Sequence, residues 1–435
     1  MNEKLRNHRT YTKGLYQLSE ASKLQGIIEP LIGMPDLTPS YGLPVGGIVA
    51  TDAETGAISL NALGGDINCG VSLSQTNVPR STFFNGAQLN KDLCRPLANN
   101  FKNSLVPNNS PNGFDYESIL LHGVTNILSE NEWHKIENNG GYEVLFNWPL
   151  DELKEIARKQ LGTLGSGNHF IDLLCCDEVY DENLAMLWGL NQINVQFAVH
   201  SGSRGIGAYV KNKFSSANDN SFDLTEKIFQ PKVFMSKEGS EILDFIHIAS
   251  NFGYANRARL RQIVNNSLLS FRDDVVSDLI YDFGHNNISL EDFNDRKVLL
   301  HRKGAIRAYP PHHPANISVY LETGSPIIIP GSLGTATYVL VGTDKLKETF
   351  YSLNHGAGRK HSRGYVRAKK HHPRFQENLE NVFVNLGFKD YCEETPNAYK
   401  DIEEVIKTLE INGFVKRVAK LKPFFVYIEK DKRIE

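Results

Sequence analysis

Residues 61–78 read NALGGDINCGVSLSQTNV, a glycine-broken loop that runs into a strand. Just before it, GLPVGGIVATDAETGAISL has the pattern of two short strands around a turn at Glu54 to Gly56, and VSLSQTNV resumes that apolar pattern afterwards. Asp66 and Cys69 therefore sit in a loop beside a strand, three residues apart. Flanking glycines let the backbone fold tightly enough for the carboxylate and the thiol to converge. A D-x-x-C pattern alone is also what a turn carboxylate and a buried thiol produce, so its meaning depends on the rest of the chain.

Outward from this loop the pattern is mixed. DELKEIARKQL places Leu153, Ile156, Ala157 and Leu161 on one face and predicts a helix leading into LGTLGSGNHF. INVQFAVH predicts a strand ending at His200 and the glycine loop SGSRGIG. Apolar residues at three- and four-residue spacing predict the longest helix over 240–271. KVLLH, SPIIIP, TYVLVG and ETFYSLNH read as strands of one sheet system. DIEEVIKTLEI reads as a helix, Asn412-Gly413 as a break and KPFFVYIE as a last strand. VPNNSPNG and FSSANDNSFD are loops, neither long enough to require a domain boundary. The pattern by itself supports a mixed α and β protein.

With 435 residues, 40% hydrophobic and 22% charged, the chain can bury a sizeable core and has the balance of a water-soluble protein. No apolar run approaches the ~20 residues that span a bilayer and the first residues carry no apolar signal segment, so we expect no membrane association and a cytoplasmic location. Five cysteines are few and odd in number, which argues against a disulfide framework. A net charge of -3 excludes a uniformly basic coat but not a local basic groove.

His169, His200, His285 and His355 each lie at a strand end or glycine loop, in GSGNHF, AVHSGSRG, YDFGHNN and LNHGAGR. Such loops on a rigid scaffold are where ligands and catalytic groups are carried. Their separations fit no zinc-finger or H-E-x-x-H pattern, so spacing does not decide between ligand and structural histidine. SGSRGIG, PGSLGTAT and HGAGRKHSRG combine exposed backbone N–H groups with arginine or hydroxyl side chains, as an anion cradle does; each is also an ordinary glycine turn. Residues 349–376 carry Arg359, Lys360, Arg363, Arg367, Lys369, Lys370 and Arg374 without one acidic residue. That is either the charge an RNA backbone needs or a solvated helix face.

In order along residues 34–426, the segments MPD, GLPVGG, GGDINCGV, GTLGSGNHF, VHSGSRGIG, YANR, YDFGHNN, HRKGAIRAYP, IPGSLGTATY, HGAGRKHSR, AYKDIEEV and LKPFFV make the chain resemble the RtcB family of RNA ligases. The resemblance implies an α+β fold, one large domain over 1–435 with mixed and antiparallel sheets, a central active-site cleft and a divergent tail from about 420 to 435. It implies joining of an RNA 3′-phosphate or 2′,3′-cyclic phosphate end to a 5′-hydroxyl end, with GTP as the energy source, and allows for an archease-type helper. It further implies two manganese ions, Cys69 bridging them, with Asp66 and His169 on one side and His200 and His285 on the other. Zinc, which thiolate and imidazole suit better, is the competitor.

By the same resemblance His355 is the nucleophile that takes GMP from GTP. Gly356, Ala357 and Gly358 would let the nucleotide approach the backbone, and Arg359 would offset phosphate charge. Asn168 and Tyr399 would meet the ribose, Phe170 would stack on the base, and Ser332, Thr337, Asp172 and Lys430 would contact its edge. Arg204, Arg302, Lys303 and Arg363 would contact RNA. The chain departs from the family in having Asp172 for a glutamate, Asn354 before the histidine, and a tail in which Lys430 replaces a terminal lysine at a shifted offset. Two alternatives follow: an enzyme that stops at guanylylating 3′ ends, or a metal-retaining RNA-binding protein without turnover.

Overall fold

A computed structural model of the chain describes residues 9–106, 113–214, 228–371, 379 and 381–430. Its larger sheet runs Ser277–Gly284, Gly70–Pro79, Asn194–Ser201, Phe170–Val179, Val415–Tyr427, Thr337–Gly342 and Ile327–Pro330, each neighbour antiparallel. The short Phe383–Val384 adds in parallel to Val415–Tyr427. A second, all-antiparallel sheet runs Ile27–Thr38, Val45–Asp52, Arg296–Lys303 and Asn286–Phe293.

The two-residue period of the central strands sorts their side chains to opposite faces. Ile171, Leu173, Phe197 and Val199 pack with Leu260, Ile263 and Val264 of the helix Lys237–Leu268. On the other face Leu174, Cys176 and Ala198 pack with Ile328, Tyr338 and Leu353. Phe170, Asp172 and His200 share that second face by alternation, which turns them away from the long helix. The helix begins at Ser236, whose hydroxyl accepts from the Gly239 N–H, and its N-terminal half builds another core through Ile242, Phe245, Ile246 and Phe252.

The chain crosses from one sheet to the other at His285, between Ser277–Gly284 and Asn286–Phe293, and the site lies at this seam. The expected α+β class, with mainly antiparallel sheets, is what the structure has. Two expectations about strands are corrected. The four apolar runs between 297 and 355 belong to three sheets. Arg296–Lys303 lies in the smaller, Ile327–Pro330 and Thr337–Gly342 in the larger, and Ser352–Asn354 pairs with Ala305–Arg307. Residues 348–351 do not extend: the 3-10 turn Asp344–Thr349 ends in Phe350 and Tyr351, both at positive φ (52° and 49°), which breaks any strand there. The segment after the Glu54 turn, Ala57–Ile58, pairs with Lys232–Val233. The loops expected at 106–113 and 214–223 lie mostly outside the described residues, as do Arg374 and the tail beyond 430. Among the described residues no helix is long and apolar enough to cross a membrane.

Candidate active site

Cys69 is the meeting point of two groups of side chains, Asp66 with His169 and His200 with His285; within each triad the ligand atoms lie inside 4.8 Å. Its Sγ is 3.3 Å from His169 Nε2 and 3.2 Å from His200 Nε2, and His200 Nε2 is 2.9 Å from His285 Nε2. His169 Nδ1 donates to the Leu164 carbonyl at 3.0 Å, which turns the Nε2 lone pair toward Asp66 Oδ2, 2.8 Å away. Carboxylate, imidazole and sulfur thus face one another with their acceptors, and only a proton or a cation can stand between them. Burial, together with the neighbouring imidazoles, holds His200 and His285 well below the usual histidine range, so they stay neutral and keep their lone pairs. Burial and then the Asp66 carboxylate push the Cys69 thiol well up; a thiolate there requires a cation. The donor set therefore fits divalent metal ions.

The loops carrying these ligands are tied to one turn of the long helix. Arg257 donates to the carbonyls of Asn68 (2.7 Å) and Ser201 (3.1 Å) while paired with Asp282 at 2.7 Å in full burial. Asn256 accepts from the Gly162 N–H at 2.8 Å and donates to the carbonyls of Thr163 and Gly202. These residues come from the YANR segment, which had been given no role.

His355 follows Ser352–Asn354 and its ring lies 4.4 Å from that of His285, 37° inclined. Its Nδ1 is held by the Gly304 carbonyl at 2.7 Å and by Asp36 Oδ2 at 3.0 Å, so the proton is on Nδ1 and Nε2 is left with its lone pair. Gly304 sits at φ +59°, and a Cβ there would lie 2.5 Å from Val45 Cγ1 and 3.0 Å from His355 Cε1. Neither Asp36 nor Gly304 was singled out from sequence, although MPD and HRKG were quoted. Asn354 uses its amide N–H to hold the Gly356 carbonyl at 2.9 Å, which steadies the turn after the histidine.

A cavity of about 290 Å³ opens beside His355. Asn168, Phe170, Asp172, Ser332, Thr337, Gly356, Ala357, Gly358, Arg359 and Tyr399 all line it, and so does Arg363. Within this set Gly358 is small for packing: a Cβ would meet the Asp36 carbonyl oxygen at 2.3 Å. Arg359 is not free for phosphate. Its guanidinium donates to Tyr399 Oη (2.9 Å), the Glu393 carbonyl (2.8 Å) and the His361 carbonyl (3.1 Å), so it buttresses the tyrosine. Glu394, unforeseen, lines the cavity and accepts from Tyr399 Oη.

Four expected contacts take other places. Lys430 does not line the cavity and its ammonium points to Asp390 Oδ1 at 4.0 Å, while Ile428 lines the wall instead. Arg302 is buried in a fork with Glu291 and donates to Ser352 Oγ (2.8 Å) and Ser289 Oγ (3.0 Å), so it joins strands and faces no substrate. Lys303 is buried and donates to the Tyr41 carbonyl; burial, then the charge of Lys211, pulls it down to about 7. Arg204, at φ +55°, offers its backbone N–H to Asp66 Oδ1 at 2.7 Å and packs its guanidinium over Gly165 and His169. Its place is beside Asp66 and His169.

The family model described as tRNA-splicing ligase RtcB matches residues 17–429. Curated relatives bearing that same name include one from Thermococcus kodakarensis, 33% identical over 98% of this chain and 92% of its own length. Another, from Methanococcus maripaludis, is 34% identical over 94% and 90%, and one from Nanoarchaeum equitans is 33% identical over 98% and 92%. Agreement across almost the whole length, with the Cys69 cluster and His355 brought to one cleft, leaves a single placement: the chain belongs to the RtcB family.

Proposed function

We propose that this protein is an RNA ligase that joins 3′-phosphate or 2′,3′-cyclic phosphate ends to 5′-hydroxyl ends through a guanylylated histidine. The observation that carries the reading is the free Nε2 of His355 beside the Cys69, His200 and His285 triad, in a cavity large enough for a nucleotide. Curated relatives named tRNA-splicing ligase RtcB support the substrate class.

His355 acts first as nucleophile. Its Nε2 lone pair forms a bond to the α-phosphorus of GTP while the bond to the β,γ-diphosphate breaks, its electron pair leaving with pyrophosphate. The positive charge that develops on the ring is met at Nδ1 by the Gly304 carbonyl and the Asp36 carboxylate. An oxygen of the RNA 3′-phosphate then takes the guanylyl group from nitrogen, restoring neutral His355. Finally the 5′-hydroxyl oxygen attacks the activated 3′-phosphate, GMP leaves, and the hydroxyl proton passes to solvent. A cyclic end is first opened by water to the 3′-monophosphate.

Asp66, Cys69 and His169, and Cys69, His200 and His285, are the residues that would hold two divalent ions, manganese by family resemblance with zinc as competitor. When bound, such ions polarise phosphoryl oxygens and offset charge on the leaving group. Phe170 would offer its ring to the base, and Tyr399 and Asn168, the latter held by the Arg363 guanidinium, would face the ribose. Arg363 and Arg367 are paired with Glu393 at 3.4 and 2.7 Å, so Lys360, Lys369 and Lys370 would carry the charge offered to RNA.

Incubation with α-labelled GTP and Mn²⁺ should leave an acid-labile, histidine-linked label that is lost in His355→Ala. Oligonucleotides with 3′-phosphate and 5′-hydroxyl ends should be joined. Label without joined product would make the enzyme an end-guanylylating one. RNA affinity without label would make it a binding protein.

A further inference from the structure

Residues 34–37 break the ladder of the smaller sheet. Between the pairs Gly33 with Gly47 and Thr38 with Val45, the strand Ile27–Thr38 sets these residues against Gly46 alone, so it bulges there. A bulge leaves backbone groups out of the ladder and re-aims a side chain. The side chain it aims here is that of Asp36, fully buried, whose Oδ2 meets Nδ1 of His355. Two glycines make room for it. A Cβ on Gly46, at φ +81°, would lie 2.3 Å from Asp36 Oδ1, and one on Gly358 would lie 2.3 Å from the Asp36 carbonyl oxygen.

Lys400 takes up the carbonyls on either side of Asp36. Its buried ammonium donates to the Pro35 carbonyl at 3.0 Å and to the Leu37 carbonyl at 2.9 Å. The backbone of Lys400 is fixed too: its N–H donates to the Gly358 carbonyl at 2.9 Å, next to the bridge between Tyr399 and Arg359. Tyr399 lines the cavity and Lys400 does not, so the lysine has no part in holding a ligand there. Burial pulls the ammonium down to about 8 while the charge of Asp36 acts to raise it. An apolar side chain would join these segments without desolvating a charge. It would not hold two carbonyls of one bulge, nor bring a cation to the carboxylate between them.

Resting on the reading of His355 as the nucleophile, we propose that Lys400 is a positioning residue for guanylyl transfer: it clamps the bulge at Pro35 and Leu37 so that Asp36 stays on Nδ1 of His355. Lys400 touches neither nucleotide nor His355 and acts only through Asp36. The clamp sits one residue from Tyr399, so the segment that closes the cavity also sets the orientation of the nucleophile.

Single-turnover labelling of the full-length protein with α-labelled GTP and Mn²⁺, over a range of GTP concentrations, separates the rate of transfer to His355 from nucleotide affinity. Lys400→Met should lower that rate about tenfold or more, as a displaced orienting group does, and leave GTP affinity within about threefold. The double variant decides whether the effect runs through Asp36. Asp36→Asn combined with Lys400→Met should be within about threefold of Asp36→Asn alone, because the clamp then has nothing left to position. Circular dichroism melting checks folding. Lys400→Gln, which keeps a donor without the charge, carries the same comparison if the methionine variant does not fold. An unchanged rate in the folded variant, a loss seen as weaker GTP affinity, losses that multiply in the double variant, or failure of both variants to fold would overturn the proposal. If the wild type takes no label, the nucleophile reading falls and this inference with it; a labelled wild type with an unaffected variant removes this inference alone.

Discussion

Asp36 Oδ2 lies 3.0 Å from Nδ1 of His355, bridging 319 positions of chain, and the same nitrogen is 2.7 Å from the Gly304 carbonyl. Two acceptors on one N–H fix both the tautomer and the tilt of the ring. Asp36→Asn places an amide there that can donate to Nδ1 and so favours the proton on Nε2, where it blocks attack. Because Gly304 still holds the ring, we expect the rate of label transfer from GTP to fall about 10- to 100-fold and not to vanish, with GTP affinity little changed. Single-turnover labelling separates the two quantities.

Cys69 is the atom shared by both candidate metal triads. Cys69→Ser keeps the shape but replaces a soft, polarisable ligand with a hydroxyl that holds its proton. Divalent-metal affinity should fall by at least about tenfold. Elemental analysis after dialysis against dilute Mn²⁺ or Zn²⁺ reads this directly; unchanged stoichiometry would remove Cys69 from the ligand set.

The Arg302 guanidinium is fully buried against Glu291, which also pairs with Arg307 at 2.9 Å. Burial alone would push Glu291 up, but the two guanidiniums outweigh it and hold the carboxyl far below its usual range. Arg302→Ala strands part of that negative charge in the core and should cost about 3–5 kcal/mol in urea unfolding. RNA affinity, measured on folded protein, should not change. A loss of RNA binding without loss of stability would return Arg302 to the substrate surface.

His301 is buried, accepts from the Ser59 N–H at 3.2 Å through Nε2, and is pulled by burial from 6.5 down to about 4. Between those values the unfolded chain binds a proton that the folded one does not. Stability should therefore decline as pH falls from about 6.5 and level off below about 4, by roughly 3 kcal/mol from this residue. His301→Gln, which keeps an acceptor for Ser59, should flatten that part of the stability profile. An unchanged slope would show that other groups set it.

Residues whose chemistry announces itself within a few positions could be read from sequence. Asp66 and Cys69 share one glycine loop, and each cluster histidine sits at a strand boundary, so candidates were visible even though their convergence was not. Asp36 was opaque because a lone carboxylate acquires meaning only from a histidine far along the chain. Arg302 was misjudged for a related reason: a basic pair beside a turn looks like a surface, and its partner Glu291 becomes a neighbour only when Asn286–Phe293 folds onto Arg296–Lys303. Strands were legible but sheet membership was not, since pairing of Val415–Tyr427 with both Phe170–Val179 and Thr337–Gly342 is decided over long sequence separations. That last strand begins at Val415, well before the apolar run that marked it, and it delivers Ile428, not Lys430, to the cavity.

Asn256 and Arg257 grip backbone from residues 68, 162–163 and 201–202 at once. The segments bearing Cys69, His169 and His200 consequently cannot loosen one at a time; they open only when that helical turn lets go. Capture of an ion then demands little ordering of the chain, and amide protons around all three segments should exchange as one slow cooperative unit whether or not an ion is there.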